Sequence, residues 1–234
     1  MFMEKLSING VEFFPFSCEE DLFNHVNEKK GILVAINAEK IINATDKTRC
    51  IINRNIGYID GAGAMIAAHK RGFPNACKIP GCELWLKIIA RFYKEKTFYL
   101  VGGKQPIIEQ TVEKLQKEFE GINIVGYRNG YIKTDEDKKA LIADIVAKRP
   151  DVVFVAMGSP KQELLMEEIQ KEHNAIFQGL GGSFDVYTGH VQRAPRWWVD
   201  HNLEFMYRLL CEPKRLKRQL KLVKFMYYLY TNKI

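Results

Sequence analysis

The chain has 234 residues, of which 47% are hydrophobic and 27% charged, with 17 Gly and 8 Pro. This composition excludes a disordered, collagen-like or low-complexity protein and predicts a globular one. The net charge of +7 lies in the last 45 residues, because residues 190–234 carry ten Lys and Arg against three acids. We therefore expect a neutral body, residues 1–189, followed by a basic appendage, residues 190–234, that meets an anionic partner.

The cysteines and the first residues indicate a compartment. Five dispersed cysteines form no CxxC pair, and the opening MFMEKLSING lacks the apolar stretch of a signal peptide. We expect a cytoplasmic setting. No run approaches ~18 uncharged apolar residues, so no membrane-spanning helix is predicted.

Short apolar runs alternate with segments of helical period along the chain. The runs are ILVAIN (32–37), IGYID (56–60), TFYLVGG (97–103), INIVGY (122–127), DVVFVAMG (151–158) and AIFQGLGG (175–182). Two intervening segments, 106–119 and 135–148, carry the start and stop signals of helices. Strands alternating with helices predict right-handed βαβ units in a doubly wound, mostly parallel, Rossmann-like α/β sheet.

Small or polar residues follow these runs. In an open parallel sheet, ligands bind beyond the carboxyl ends of the strands, so we expect these residues to share one rim. The rim residues predicted in this way include Asn37, Asp60, Gly102, Gly103, Gly158, Lys161, Gln162 and Asp185.

The segment LVGGKQP (100–106) combines a strand, a double glycine and a helix start. Backbone N–H groups and the helix dipole can hold a phosphate in such a turn. A tight turn without a ligand is an equal alternative at this point. The spacing is neither GxGxxG nor GxxxxGK[ST], which argues against a standard dinucleotide fold or a P-loop and leaves a diphosphate site open.

Two further segments suggest chemistry at the rim. Asp60 ends a strand in IDGAG, where a partly buried carboxylate suits a general base, although it could equally cap the following helix. Lys161, in GSPKQE (158–163), falls in a first helical turn. A cation there opposes the helix dipole, which favours an anionic ligand.

No metal is predicted. The triplet 135–137 contains a DxD pattern, but it follows Thr134 at a helix start, where acids complement the dipole. The five histidines are scattered, and Cys77 and Cys82 lack partners of metal-ligand spacing.

The basic appendage contains an amphipathic helix. At ~100° per residue one face carries bases and the opposite face is apolar. The bases are Lys214, Lys217, Arg218, Lys221 and Lys224, and the apolar residues are Leu216, Leu220, Val223 and Tyr227. With its aromatic ending FMYYLY, the helix suits an anionic bilayer surface, the alternative being a terminal helix packed on its own domain. Nucleic acid is not predicted, because the aromatics are not interleaved with the bases.

Seven segments in this order resemble the WecG/TagA/CpsF glycosyltransferases, glycosyltransferase family 26. They are AINAEK (35–40), DGAG (60–63), VGGK (101–104), NGY (129–131), VAMGSPKQE (155–163), GGSFDVYTGHVQRAPRWW (181–198) and LEFMYRLLCEPKRLKRQ (203–219). The likeness runs from about residue 30 to the C-terminus. It is strongest to the branch of enterobacterial common antigen synthesis that uses UDP-N-acetyl-D-mannosaminuronate.

The resemblance implies an inverting, metal-independent reaction without a cofactor. The sugar would pass from UDP to the 4-hydroxyl of N-acetylglucosamine on undecaprenyl pyrophosphate. UDP-N-acetylmannosamine is the alternative donor, as in the teichoic-acid or capsular branches, and a non-catalytic nucleotide-binding membrane adaptor is an alternative of another class. The protein would be peripheral, on the cytoplasmic face of the inner membrane, and we expect self-association in solution through an exposed apolar seam.

The resemblance also assigns roles to residues. Asp60 takes the place of the base, and the amides of Gln162 and Asn37 would orient sugar hydroxyls. Tyr131 would stack on uracil, and Asp185 would lie near the nucleoside. The remaining assignments are Gly102, Gly103, Gly130, Gly158 and Lys161 for substrate binding, and Arg208, Arg215 and Arg218 for pyrophosphate at the membrane.

One substrate-binding position departs from the family pattern. In KIPGCEL, Lys78 and Glu83 stand where an Arg and an Asp are usual. The charges are kept, but Lys78 would make a point contact where Arg grips a phosphate with two hydrogen bonds.

Overall fold

The structure, a computed structural model, describes residues 4–192, 195, 197–198, 206–207, 209 and 216–231. Six parallel strands form the central sheet in the order β4-β3-β8-β7-β5-β6. A two-stranded antiparallel hairpin precedes them. The hairpin strands are β1 (Leu6–Ile8) and β2 (Val11–Phe13), and the sheet strands are β3 (Ile32–Ile36), β4 (Ile56–Ile59), β5 (Thr97–Gly102), β6 (Asn123–Arg128), β7 (Val152–Ala156) and β8 (Ile176–Gly179).

Helices cover both faces of this sheet. They are α1 (Glu19–Glu28), α2 (Ala38–Asn43), α3 (Asp46–Arg54), α4 (Ala62–Lys70), α5 (Gly81–Phe92), α6 (Gln105–Glu118), α7 (Asp135–Lys148), α8 (Lys161–Glu172), α9 (Ser183–Tyr187) and α10 (Leu216–Tyr230). The core on one face draws on α2, α3, α4, α7, α8 and α10, and the core on the other draws on α1, α5, α6 and α9. The predicted doubly wound α/β fold is confirmed.

The strand sequences explain this layering. In β7 every residue is buried, with Val153 and Val155 in one core and Val152 and Phe154 in the other. A strand covered on both faces needs such a continuous apolar run. All six predicted strands are present, and the two predicted helices correspond to α6 and α7.

The acidic triplet at the start of α7 caps that helix. Thr134 and Asp137 form a capping box, and Asp137 also pairs with Arg128 at 2.8 Å. Hydrogen bonds from the backbone N–H groups of Lys133 and Thr134 lower the pKa of Asp137. The interpretation of the triplet as a helix start is confirmed.

Helix α10 packs on α2 and α4. Phe225 and Leu229 are buried in the core on that face, and the Lys70 ammonium donates to the Leu229 carbonyl at 2.6 Å. Val223 and Tyr227, predicted on the apolar face, are 67% and 56% exposed. The helix therefore docks through one set of apolar residues and exposes another, while the domain boundary at 189/190 stays a prediction.

Candidate functional site

The carboxyl ends of the six parallel strands meet at one edge of the sheet, which we call the rim. The loops after β3, β4, β5, β7 and β8 all open there, and the helices that follow begin there. The positive ends of several helix dipoles therefore lie along the rim, which favours an anionic ligand there.

Asp60 follows β4 and is held by another element's backbone. One oxygen of its carboxylate accepts a hydrogen bond of 2.7 Å from the N–H of Gly81, the first residue of α5. The partial positive charge at this helix start stabilises the negative carboxylate. The alternative role as cap of the following helix is wrong, because the N-cap of α4 is Gly61, without a side-chain cap.

Asn37 lies beside Asp60 at the end of β3. Its side-chain oxygen caps α2 by accepting from the N–H of Lys40 at 2.9 Å. A Cβ on Gly61 would lie 2.8 Å from the Cβ of Asn37, so the two loops touch. The structure thus brings Asn37 and Asp60 together, and the cap leaves the Asn37 NH₂ group as its donor toward a ligand.

Gln162 ties two loops of the rim together. It is 5% exposed, and its carbonyl oxygen accepts from the N–H groups of Gly158 at 3.1 Å and Gly181 at 2.9 Å. A Cβ on Gly179 would collide with the Gln162 amide, so a side chain at position 179 would displace that amide. This bridging role was not predicted from the sequence, and the role toward a substrate stays a prediction.

A buried ion pair joins α2 to α8. The Lys40 ammonium lies 2.6 Å from the Glu163 carboxylate, whose side chain is only 5% exposed. Burial alone would raise the pKa of Glu163, but the charge of Lys40 and its hydrogen bond hold that pKa below its usual value. Sequence reasoning missed this pair, although AINAEK and GSPKQE each contain one partner.

The double glycine after β5 requires backbone conformations that other residues rarely adopt. Gly102 has φ 136° and Gly103 has φ 66°, and a Cβ on Gly102 would collide with the Ala156 carbonyl. The following helix, α6, has no side-chain cap at Lys104 and no acid in its first turn. Pro106 has no N–H, so the donors that this helix start offers to an anion such as a diphosphate are the N–H groups of Gln105 and Ile107.

The loop carrying Tyr131 is tied to the same turn. The N–H of Gly130 donates to the Gly103 carbonyl at 2.9 Å, and the Asn129 amide donates to the Gln105 side chain at 2.7 Å. Tyr131 is 54% exposed. The structure therefore places an accessible aromatic ring on a loop bonded to the glycine turn.

The other predicted residues lie around this rim or outside the described part of the chain. Lys161 is exposed at the start of α8, and Asp185 is half-buried in α9. Lys78 is half-buried just before α5, next to Ile79, whose N–H donates to the Ile59 carbonyl. Arg208 and Arg215 lie outside the described residues, and Arg218 lies in α10, where only its backbone is described.

The described residues hold neither a cluster of metal ligands nor a helix that could span a membrane. Within those residues, no three His, Cys, Asp or Glu side chains lie together as metal ligands. No helix in the same part of the chain is both long and apolar enough to cross a bilayer.

The chain matches a known protein family. Residues 6–234 match the model described as the glycosyl transferase WecG/TagA/CpsF family. The matched range spans nearly the whole chain and includes every rim residue described above.

Proposed function

Because the chain belongs to the WecG/TagA/CpsF glycosyltransferase family, we propose that it transfers N-acetyl-D-mannosaminuronate from UDP to a lipid-linked N-acetylglucosamine. One observation carries the proposal beyond the family. A carboxylate fixed by the start of α5 shares the rim with a double-glycine turn that opens an uncapped helix. A base and a diphosphate site are the two parts that such a transfer needs.

In this mechanism Asp60 is the general base. It takes the proton of the acceptor's 4-hydroxyl as that oxygen attacks the anomeric carbon of the donor. The bond from the anomeric carbon to the UDP oxygen breaks on the opposite face, and UDP leaves with the electron pair. Gly81 holds one carboxylate oxygen and so fixes the orientation of the Asp60 carboxylate, and the configuration of the sugar is inverted.

The leaving UDP is stabilised by the backbone. Negative charge grows on the diphosphate as the bond breaks, and the N–H groups of Gln105 and Ile107 at the uncapped start of α6 are donors fixed in advance. We propose that these donors do the work that a divalent cation does elsewhere, so the reaction needs no metal. Tyr131 stacks on uracil, and the NH₂ group of Asn37 orients the sugar.

A second candidate is the same transfer from UDP-N-acetylmannosamine, which carries no carboxylate. One observation favours it: Lys40, the cation behind Asn37, is already paired with Glu163. For the uronate donor, the exposed Lys161 at the start of α8 is the cation that we propose for the sugar carboxylate.

The acceptor is carried on a lipid, so we propose that α10 holds the protein at the cytoplasmic face of the inner membrane. Val223, Tyr227 and Tyr230 are 67%, 56% and 66% exposed, and they recur at helical spacing on the surface of a docked helix. An exposed aromatic and aliphatic stripe with a neighbouring exposed Lys224 suits an anionic lipid surface.

Transfer to a lipid-linked N-acetylglucosamine tests the function directly. Both UDP-sugars are run side by side in EDTA with the full chain. Uronate transfer despite the chelator supports the proposal, and preference for the neutral sugar supports the second candidate. If UDP binds but neither donor reacts, a nucleotide-binding adaptor is the better account.

Vesicle binding tests the membrane partner. Replacing Val223 and Tyr227 by Ser removes side chains that are 67% and 56% exposed, so binding to anionic vesicles should weaken about tenfold or more, and the melting temperature shows whether the fold is kept. Val146→Ser, on the exposed surface of α7, is the matched control. Equal vesicle binding by the double variant and the wild type would remove α10 as the membrane contact.

A further inference from the structure

A polar side chain lies where the fold otherwise places apolar ones. Gln178 is in the interior strand β8 and is fully buried, while its neighbours Ile176 and Phe177 belong to the two hydrophobic cores. Burying an amide costs free energy unless its hydrogen bonds are made. The fold accepts that cost at a position where an aliphatic residue would pack, which points to a role for the hydrogen bonds that Gln178 makes.

Gln178 holds the first residue of α5. Its side-chain NH₂ group donates to the Gly81 carbonyl at 3.0 Å, and the Tyr58 hydroxyl lies 3.5 Å from the same nitrogen. Because a backbone carbonyl only accepts, this bond fixes which end of the amide faces Gly81. On the other side of the same residue, the Gly81 N–H donates to Asp60 at 2.7 Å.

Gly81 also has no room to move toward the sheet. A Cβ at this position would lie 2.7 Å from the Tyr58 hydroxyl and 3.6 Å from the Cβ of Ala35. Burial raises the pKa of Tyr58 far above its usual value, and the nearby charge of Asp60 adds to the rise, so the hydroxyl stays neutral. Tyr58 and Ala35 thus pack against the Cα of Gly81, and Gln178 bonds its carbonyl.

We propose that Gln178 is a positioning residue, which acts on the reaction by holding Gly81 so that the Gly81 N–H aims the carboxylate of Asp60. The inference rests on the proposed function, in which Asp60 is the base. Gln178 contacts the substrate nowhere in this account. Its effect passes through one backbone amide, and a small loss of alignment at a catalytic base lowers turnover strongly.

The test compares Gln178→Met with Gln178→Glu. Methionine keeps the volume and removes the hydrogen bond, so kcat should fall about ten- to a hundredfold while UDP affinity changes less than twofold. Protonated glutamic acid can still donate to the Gly81 carbonyl, so this variant should retain turnover at low pH and lose it as its buried carboxyl ionises. The wild type lacks that loss, and a purely structural role would not create it.

Gln170→Met is the matched control. Gln170 lies on α8, away from the rim. Its side-chain nitrogen donates to the side-chain oxygen of Asn55 at 3.0 Å. We expect this variant to keep the wild-type kcat and pH profile. Melting temperatures of all variants separate misfolding from misalignment.

A readout without turnover separates this inference from the proposed function. The titration of the Asp60 carboxyl, followed by carbon NMR, should move upward in Gln178→Met because its N–H donor is less firmly held, and should stay in place in Gln170→Met. If the wild type transfers no sugar but the titration moves, the proposed function fails and the positioning role stands. If kcat stays within twofold and the titration does not move in Gln178→Met, the positioning role is wrong.

Discussion

The two halves of the rim are built differently. Around β3, β4 and β8 the site consists of side chains held by other parts of the chain, such as Asp60 on Gly81 and Lys40 on Glu163. Around β5 and β6 it consists of backbone, with Gly102 and Gly103 in conformations that need glycine. The first half should lose activity or stability when a side-chain functional group is removed. The second half should lose UDP affinity when an atom is added to a glycine.

The largest expected effect is in the half built from side chains. Asp60→Asn keeps the shape but removes the base, so kcat should fall about 10²- to 10⁴-fold. UDP affinity should not change, because we propose that the diphosphate binds in the other half. Steady-state kinetics and calorimetric titration with UDP measure the two quantities, and unchanged turnover would remove Asp60 as the base.

Lys40→Met should lower the stability of that half. It leaves the buried Glu163 carboxylate without its cation, which should lower the free energy of unfolding by about 3 kcal/mol at pH 7. Since the folded pKa of Glu163 is lowered, the pair's contribution is full above the unfolded value of 4.5 and is lost as the pH falls through the folded pKa. The difference between variant and wild type should therefore shrink in acid.

Urea unfolding at several pH values measures this difference. Arg91→Met is the control, because the Arg91–Glu20 pair is about half exposed on both sides and should contribute less than about 1 kcal/mol. If both variants lose the same free energy of unfolding, or if the loss in Lys40→Met does not depend on pH, the Lys40–Glu163 pair does not stabilise the fold as a buried ion pair.

Gly102→Ala tests the half built from backbone by adding one carbon. The new Cβ would collide with the Ala156 carbonyl, and φ 136° would be strained, so UDP affinity should fall about tenfold or more. Gly121→Ala is the matched control, since it has a positive φ of 84° but nothing within 4 Å of the added carbon. Both variants should lose some stability, but only Gly102→Ala should lose UDP.

Tyr131→Ala has the smallest expected effect and tests whether a side chain matters in that half. Stacking of a base on an aromatic ring contributes about 1–3 kcal/mol, so UDP affinity should fall about tenfold, and Tyr131→Phe should restore it. The exposed ring supports little of the fold, and stability should not change. If Tyr131→Ala binds UDP as tightly as the wild type, Tyr131 does not stack on uracil, and the backbone groups of this half bind UDP without it.

The sequence predicts the half built from backbone better than the half built from side chains. Glycines that follow an apolar run and precede a proline-led helix are local signals, and the structure has the strand, turn and helix at those positions. The partners of the side-chain half are far apart in the chain. Asp60 and Gly81 are 21 residues apart, and Gln178 and Gly81 are 97 apart, so no local pattern indicates these bonds.

The same reason explains the partial success at the C-terminus. Helical periodicity predicts the existence of α10 and a division into two faces. Which apolar residues are buried depends on the surfaces of α2 and α4, and the structure buries Phe225 and Leu229 while Val223 and Tyr227 stay exposed. Periodicity gives the spacing of a face, and only the partner decides which face is covered.

We propose that UDP binds in the backbone half of the rim while the base lies in the other half. Titrating UDP into nitrogen-labelled protein and following the backbone amides by NMR tests this claim most directly. We expect the amide signals of Gly102, Gly103 and Gly130 to shift on titration with UDP, and those of Gly61 and Gly81 to stay unchanged. Shifts at Gly61 and Gly81 with the first three signals unmoved would contradict it.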